Sequence, residues 1–356
     1  MTSRLLKTII FGLVMGIIGL ILSYLNPLFS LEENSGLGLL FKLRGEKEPP
    51  ADVVVVSIDK ESSDQLGIPD NPDKWPRSLH AQLTETLKRE GARVVAFDLH
   101  FIEPRVPDDD IQFARSVRTA QNVVLCEPMK SREIPLGDRD AGAVHSIVKI
   151  VKPIPIFSEA AVATAPFPLP RIPFKVNSYW AFQTGAGDSP TLPVVTFQLF
   201  CEGVYSDLIV LMAKVSTDHA GRLLAGWAQA IRVNGVKGVI REIREIFESD
   251  STLAPRMLEE LERSKSLSSD DRKYQLLKAL IKLYAGPSSR YVNYYGPPRT
   301  VTTIPYYQAL KIRDGAVDGK PVDIEGKAVF VGLSEVIPAD RKDSFYTVYS
   351  NARGVF

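Results

Sequence analysis

A small set of side chains has the types and spacing that could do chemistry. Asp59 and Asp98 each close an apolar run, Val53-Val-Val-Val-Ser-Ile58 and Arg93-Val-Val-Ala-Phe97, and Glu103 follows shortly after the second. Convergent carboxylates of this kind supply the hard oxygen ligands that Mg²⁺ or Ca²⁺ takes, and a metal here would use Asp59 and Asp98 first. The same acids suit a structural task, capping neighbouring helices or pairing with Arg77 and Arg105 to fix loops. Trp75-Pro-Arg77 stands just ahead of a helical pattern. Proline fits a first helical turn, Trp75 offers a large apolar surface, and Arg77 can bring a bidentate guanidinium near Asp59 or Asp98. Two readings of that tripeptide stay open: an anchor for a loop over a sheet edge, or a pocket for a small anion at a helix N-terminus.

No nucleophile accompanies these residues. The chain has no G-x-S-x-G elbow, no GxxxxGK[ST] loop, no GxGxxG and no HExxH. A structural or ligand-binding role is therefore favoured over catalysis, and no cofactor is implied. His100, two residues beyond Asp98, shares its face in a regular strand and reads as a hydrogen-bonded side chain. Asp108 to Asp110 read as a helix start, where the dipole favours negative charge.

The elements that must position these groups alternate. Val53–Ile58 is β-branched and continuous, as in a strand buried on both faces. Leu79, Leu83 and Leu87 then recur at helical spacing until Gly91, and Arg93 to Leu99 is a second buried strand. Strand, helix, strand implies a parallel pair with a right-handed crossover. A helix from about Asp109 to Thr119, a strand at Asn122–Cys126 and a late strand at Lys327–Ser334 extend the pattern. The fold class is α/β, with a mostly parallel central sheet flanked by helices. In such sheets Asp59 and Asp98 lie near the carboxyl edge, where ligands bind. Residues 130–193 are proline-rich, as in short strands and hairpins. Residues from about 204 to 285 carry only helical spacing, a helical insertion in which Leu208–Ala213 is too short to cross a bilayer.

Composition bounds the partners. The chain has 356 residues, a formal net charge of +1 and 24% charged residues, with no basic stripe, so nucleic acid is not an expected partner. Cys126 and Cys201 sit in apolar surroundings and read as buried free thiols. Four histidines lack the spacing of zinc ligands. Thr8 to Leu31 contains no charge and is long enough to cross a hydrocarbon core, with Arg4 and Lys7 before it and Glu32 and Glu33 after it. The positive-inside rule then places the N-terminus in the cytoplasm and everything after about residue 32 outside. Residues 1–31 form a membrane anchor and 32–356 the extracytoplasmic domain. Gly12 and Gly16 form a GxxxG pair that would let two such helices approach.

Set in order, these pieces resemble a CHASE domain of type 2, an extracytoplasmic sensory module of bacterial adenylate and guanylate cyclases and sensor kinases. The stretches that carry the resemblance are VVVVSIDKES at 53–62, WPRSLHAQLTETLKREGARVVAFDLHFIEP at 75–104, VNYYGPPRTVTTIPYYQAL at 292–310 and AVFVGLSEVIPADRKDSF at 328–345. It marks Asp59, Trp75, Pro76, Arg77, Asp98, Glu103, Asn293, Gly296 and Gly332 as family-pattern positions. It implies a receptor, working as a homodimer, that detects an unidentified ligand or envelope protein outside the membrane. It also implies further membrane helices and a cytoplasmic cyclase, kinase or phosphatase domain beyond Phe356. The helical segment before Tyr291 is longer than the connection usual in the family. Two other readings compete: a membrane-anchored, metal-dependent hydrolase using Asp59, Asp98 and Glu103, and an envelope module that recruits a partner through its helical segment.

Overall fold

The computed structural model describes residues 11–16, 36–135, 144–169, 176–265, 271–317, 320–334 and 347–349. Most of the anticipated membrane segment lies outside these residues; residues 11–16 within it are helical. Among the described residues no single helix is long and apolar enough to cross a membrane. One bent pair, Leu192–Phe200 with Glu202–Val215, has the length and composition but turns by 59°. Its Leu192, Val195, Tyr205, Leu208 and Met212 are buried in the protein core.

Six strands form a parallel sheet: β1 (Val53–Ile58), β2 (Val94–His100), β3 (Val123–Glu127), β4 (Ala163–Pro166), β5 (Thr303–Pro305) and β6 (Ala328–Leu333). Their order is β5-β1-β6-β2-β3-β4, and every pairing is parallel. The expected β1 and β2 are therefore parallel, but they are not neighbours. The late strand β6 inserts between them, with Gly332 in register with Ser57 on one side and Asp98 on the other. A run as apolar as Ala328-Val-Phe-Val331 suits a central place in a parallel sheet, where both faces are covered.

Helices close both faces. Helices α1 (Leu37–Arg44) and α2 (Lys60–Leu66) flank β1 in the chain, followed by α3 (Arg77–Arg89) and α4 (Pro107–Ala120). From α3 and α4, Leu83, Leu87, Phe113 and Val117 pack on Val54, Val56, Val95, Phe97 and Leu125. Truncating Leu87, fully buried there, would cost about 2–5 kcal/mol. The second face carries α5 (Leu192–Phe200), α6 (Tyr205–Val215), α7 (Trp227–Ser249), α8 (Leu253–Lys265) and α9 (Asp271–Ala285). These pack on Val94, Ala96, Val124 and Cys126. The segment read as an insertion is thus helical as anticipated, and it serves as one of the two layers that bury the sheet. That layer stops short of the sheet edge: Val54 and Val56 are buried, whereas Val53 and Val55 on the opposite face of β1 are half-exposed. The expectation of burial on both faces holds for β3 and the first half of β2 and only in part for β1, where Ser57 is buried on the same face as Val53 and Val55.

The proline-rich stretch forms short elements, including an antiparallel hairpin of Met129–Pro135 with Val144–Ile150. Both cysteines are free and buried. A one-turn helix, α10 (Tyr306–Ala309), follows β5 and packs beside α2.

Candidate functional site at the carboxyl edge of the sheet

The end of β1 is built around Asp59. This residue leaves the strand in an extended conformation and caps α2. Its Oδ1 accepts from the Ser62 amide at 2.9 Å and the Ser62 hydroxyl at 2.6 Å, while Oδ2 accepts from the Ser57 hydroxyl at 2.7 Å. These bonds satisfy donors that a helix start leaves open. The cation facing Asp59 is Arg299, whose Nη2 lies 4.0 Å from Oδ2 while its side chain is 66% exposed. Arg299 holds a left-handed backbone, φ 66°, which costs a side-chain-bearing residue energy.

Gly332 lies between the two strand-end aspartates. A Cβ at this position would stand 3.3 Å from the Asp98 Cβ, so glycine lets Asp98 pack closely against the middle strand. Ser57 and Asp98, in register with Gly332 on its two sides, lie about 10 Å apart. Asp98 is exposed and accepts a hydrogen bond from the Cys126 thiol. Burial, reinforced by the Asp98 charge, pushes that thiol well above its ordinary value, so Cys126 is an inert donor. The pairing of β2 with β3 is irregular between Phe97 and His100, while Asp98 and His100 are both exposed and Leu99 between them is partly buried.

Trp75 and Arg77 belong to a separate, closed arrangement. The Trp75 indole donates to the Pro69 carbonyl at 2.7 Å and meets Tyr306 edge to face, centroids 5.0 Å apart. Arg77 donates to Asp110 at 2.6 Å and to the Glu103 carbonyl at 2.5 Å, with its guanidinium 4.8 Å from the Phe157 ring centroid. The Arg105 amide closes on the other Asp110 oxygen at 2.9 Å. The expected approach of Arg77 to Asp59 or Asp98 is replaced by this pairing, because the loop of residues 101–106 brings Asp110, in the first turn of α4, back onto the start of α3. The anion at that helix start is the chain's own carboxylate. Asp108 to Asp110 stand in the first turn of α4, as expected of a helix start, and Asp110 is in addition a buried ion-pair partner. Glu103 contributes its carbonyl, and its carboxylate is exposed. Among the described residues no group of three or more His, Cys, Asp or Glu side chains is arranged to hold a metal, so Asp59, Asp98 and Glu103 do not form one.

His80 was not singled out by its sequence, although it lies on the same stripe of α3 as Leu83 and Leu87. Its Nδ1 is 2.8 Å from the Tyr306 hydroxyl, and Phe97, Phe101 and Phe113 surround its ring. Burial first, then the charges of Arg105 and Arg77, push its pKa down to about 3. It is neutral at neutral pH.

A third group lies between the chain's two ends. Asn293 Oδ1 accepts from Arg44 at 2.6 Å, and Arg44 also donates to the Tyr294 carbonyl. The Tyr294 ring meets Phe41 of α1 edge-on at 5.8 Å and Tyr349, near the C-terminus, at 6.4 Å. The Lys47 amide donates to the Tyr295 carbonyl at 2.8 Å. Gly296 then permits a tight turn, since a Cβ there would collide with Thr300. Beyond the turn, Arg299 meets Asp59, the Thr302 carbonyl accepts from the Val55 amide at 2.9 Å, and Tyr307 donates to Glu61 at 2.8 Å. Asn293 and Gly296 are thus placed at a junction, away from Asp98 and Gly332.

The model of the CHASE2 domain family matches residues 12–356 of this chain. No curated protein and no solved structure matches it. With nearly the whole chain aligned, from the N-terminal apolar segment through the sheet, the rim and the Tyr294 junction, the protein belongs to the CHASE2 domain family of extracellular sensory domains.

Proposed function

We propose that the chain is the signal-receiving region of a bacterial transmembrane receptor. The helix at about residues 8–30 anchors it in the cytoplasmic membrane, and the domain from residue 32 onward stands outside. Two copies act together, and the output is a cytoplasmic enzyme such as an adenylate cyclase or histidine kinase. The signal, a ligand or an envelope protein, engages the rim formed by Asp59, Arg299, Gly332 and Asp98. Trp75, Arg77 and Glu103 hold the neighbouring loops in place.

One observation carries this reading: residues 293–307 form a single connection from the rim to the junction at Tyr294, where segments leading to both chain ends meet. A signal acts only through a difference in affinity between two arrangements of the domain. A ligand that competes for Asp59 releases Arg299, and the turn at 296–300 then relaxes toward α1. The left-handed Arg299 supplies a conformation that gains by relaxing.

The test is hydrogen exchange on the full chain in nanodiscs, comparing the protein with Arg299→Ala. The Lys47 amide, bonded to Tyr295, should exchange faster by about fivefold or more, while amides of β2 keep their protection. An unchanged Lys47 amide would break the proposed link between rim and membrane.

A further inference from the structure

Helix α1 divides its surface by face. Gly38 is buried, and Phe41 and Arg44 are held by Tyr294 and Asn293, three positions spaced so as to share one side of the helix. Leu39, Leu40 and Leu43 lie on the opposite side and are 58%, 63% and 75% exposed. Among the described residues no large apolar side chain is more exposed than Leu43. Because the first side is clamped to the domain, the direction of the leucine side is set by the fold.

The chain says what covers these leucines. The charge-free segment ends at Leu31, and α1 begins at Leu37, so the helix starts within about 20 Å of the end of that segment. Lys42 is exposed beside the leucines, with an aliphatic stem that can follow an apolar surface while its amine stays among polar groups. Apolar residues on one side and a cation at the flank are what a helix lying in a membrane interface presents. We propose that α1 docks on the outer lipid surface, with Leu39, Leu40 and Leu43 at the boundary of headgroups and acyl chains. The helix is then a splint between bilayer and sheet, gripped by lipid on one side and by Tyr294 on the other.

This proposal rests on the anchoring of the chain by residues 8–30. The experiment places the full chain in vesicles of equal parts phosphatidylethanolamine and phosphatidylglycerol, with a nitroxide on Leu39→Cys, Leu40→Cys or Leu43→Cys. Native Cys126 and Cys201 are buried and escape labelling. Val233→Cys, at a position 67% exposed on α7, is the control. The three α1 labels should collide more with oxygen than with a water-soluble nickel chelate, and the Val233 label should show the reverse. Preference of all three for the chelate, in chain that resists alkaline extraction, overturns the docking and leaves the anchor standing. Spin–spin broadening that vanishes on dilution with unlabelled chain assigns the leucines to a second copy and also overturns it. Release of the chain by alkali removes anchor and docking together.

Discussion

Asp110 and Asp59 invite comparison. Both stand at the carboxyl edge of the sheet, both are nearly excluded from solvent, at 5% and 6% exposure, and each faces an arginine. Asp110 meets Arg77 at 2.6 Å with both side chains buried, and aromatic rings cover the guanidinium. Asp59 is satisfied by neutral hydroxyl and amide donors, and its arginine stands 4.0 Å off in solvent. Nearly equal burial thus produces a lock in one place and an exchangeable partner in the other. A buried charge whose partner is also buried is expensive to unpair, whereas an exposed partner at that distance contributes little to stability. Charges at this edge are therefore divided between a buried pair that holds loops and a buried acid whose arginine stands in solvent.

The sharpest way to break the comparison is to remove the lock. Arg77→Met leaves Asp110 buried without its cation and should lower the unfolding free energy by about 3–5 kcal/mol in urea titrations. Equal destabilisation by Arg299→Ala would erase the distinction drawn between the two acids.

Acid attacks the same closed region through His80. Its folded pKa, about 3, lies below the ordinary value near 6.5, so the unfolded chain binds the extra proton first. The stabilisation from keeping His80 neutral is complete above pH 6.5 and lost progressively as pH falls toward 3. At pH 4.5 the loss should reach about 2–3 kcal/mol. His80→Gln should flatten that part of the stability profile, which chemical denaturation at several pH values would show.

Smaller effects belong to the open rim. Asp59→Ala removes a helix cap and should cost about 1–2 kcal/mol by thermal unfolding. Arg299→Ala should change stability by no more than about 0.5 kcal/mol, even as it alters exchange at Lys47. A larger loss from Arg299→Ala would make that residue another structural lock.

Much of the fold was legible because the signals were local. The runs at 53–58, 94–97, 123–126 and 328–331 are apolar and β-branched, and the helices between them carry regular stripes, so an α/β class with parallel strands follows from pattern. The short strands Ala163–Pro166 and Thr303–Pro305 carry no comparable signal, since proline and brevity are tolerated at sheet ends. The site was legible in its residue types and less so in its partners. Asp59 as a cap is written in the strand-Asp-x-x-Ser order, whereas the pairing of Arg77 with Asp110 crosses 33 residues and a loop. His80 was hidden because a polar residue inside an apolar stripe announces nothing until Tyr306, 226 residues away, arrives beside it.

The amino-acid sequence by itself determined the four long strands, the helices with regular apolar stripes and the charge-free segment, because each depends on neighbours within a few turns of chain. Only the tertiary structure decided that β6 comes between β1 and β2, bringing Asp98 close against Gly332, and that one aspartate is locked while another is not. It also decided that Tyr294 gathers segments from both ends of the chain. Those outcomes depend on contacts between distant residues, where competing pairings share the same local patterns and packing of the whole core selects among them.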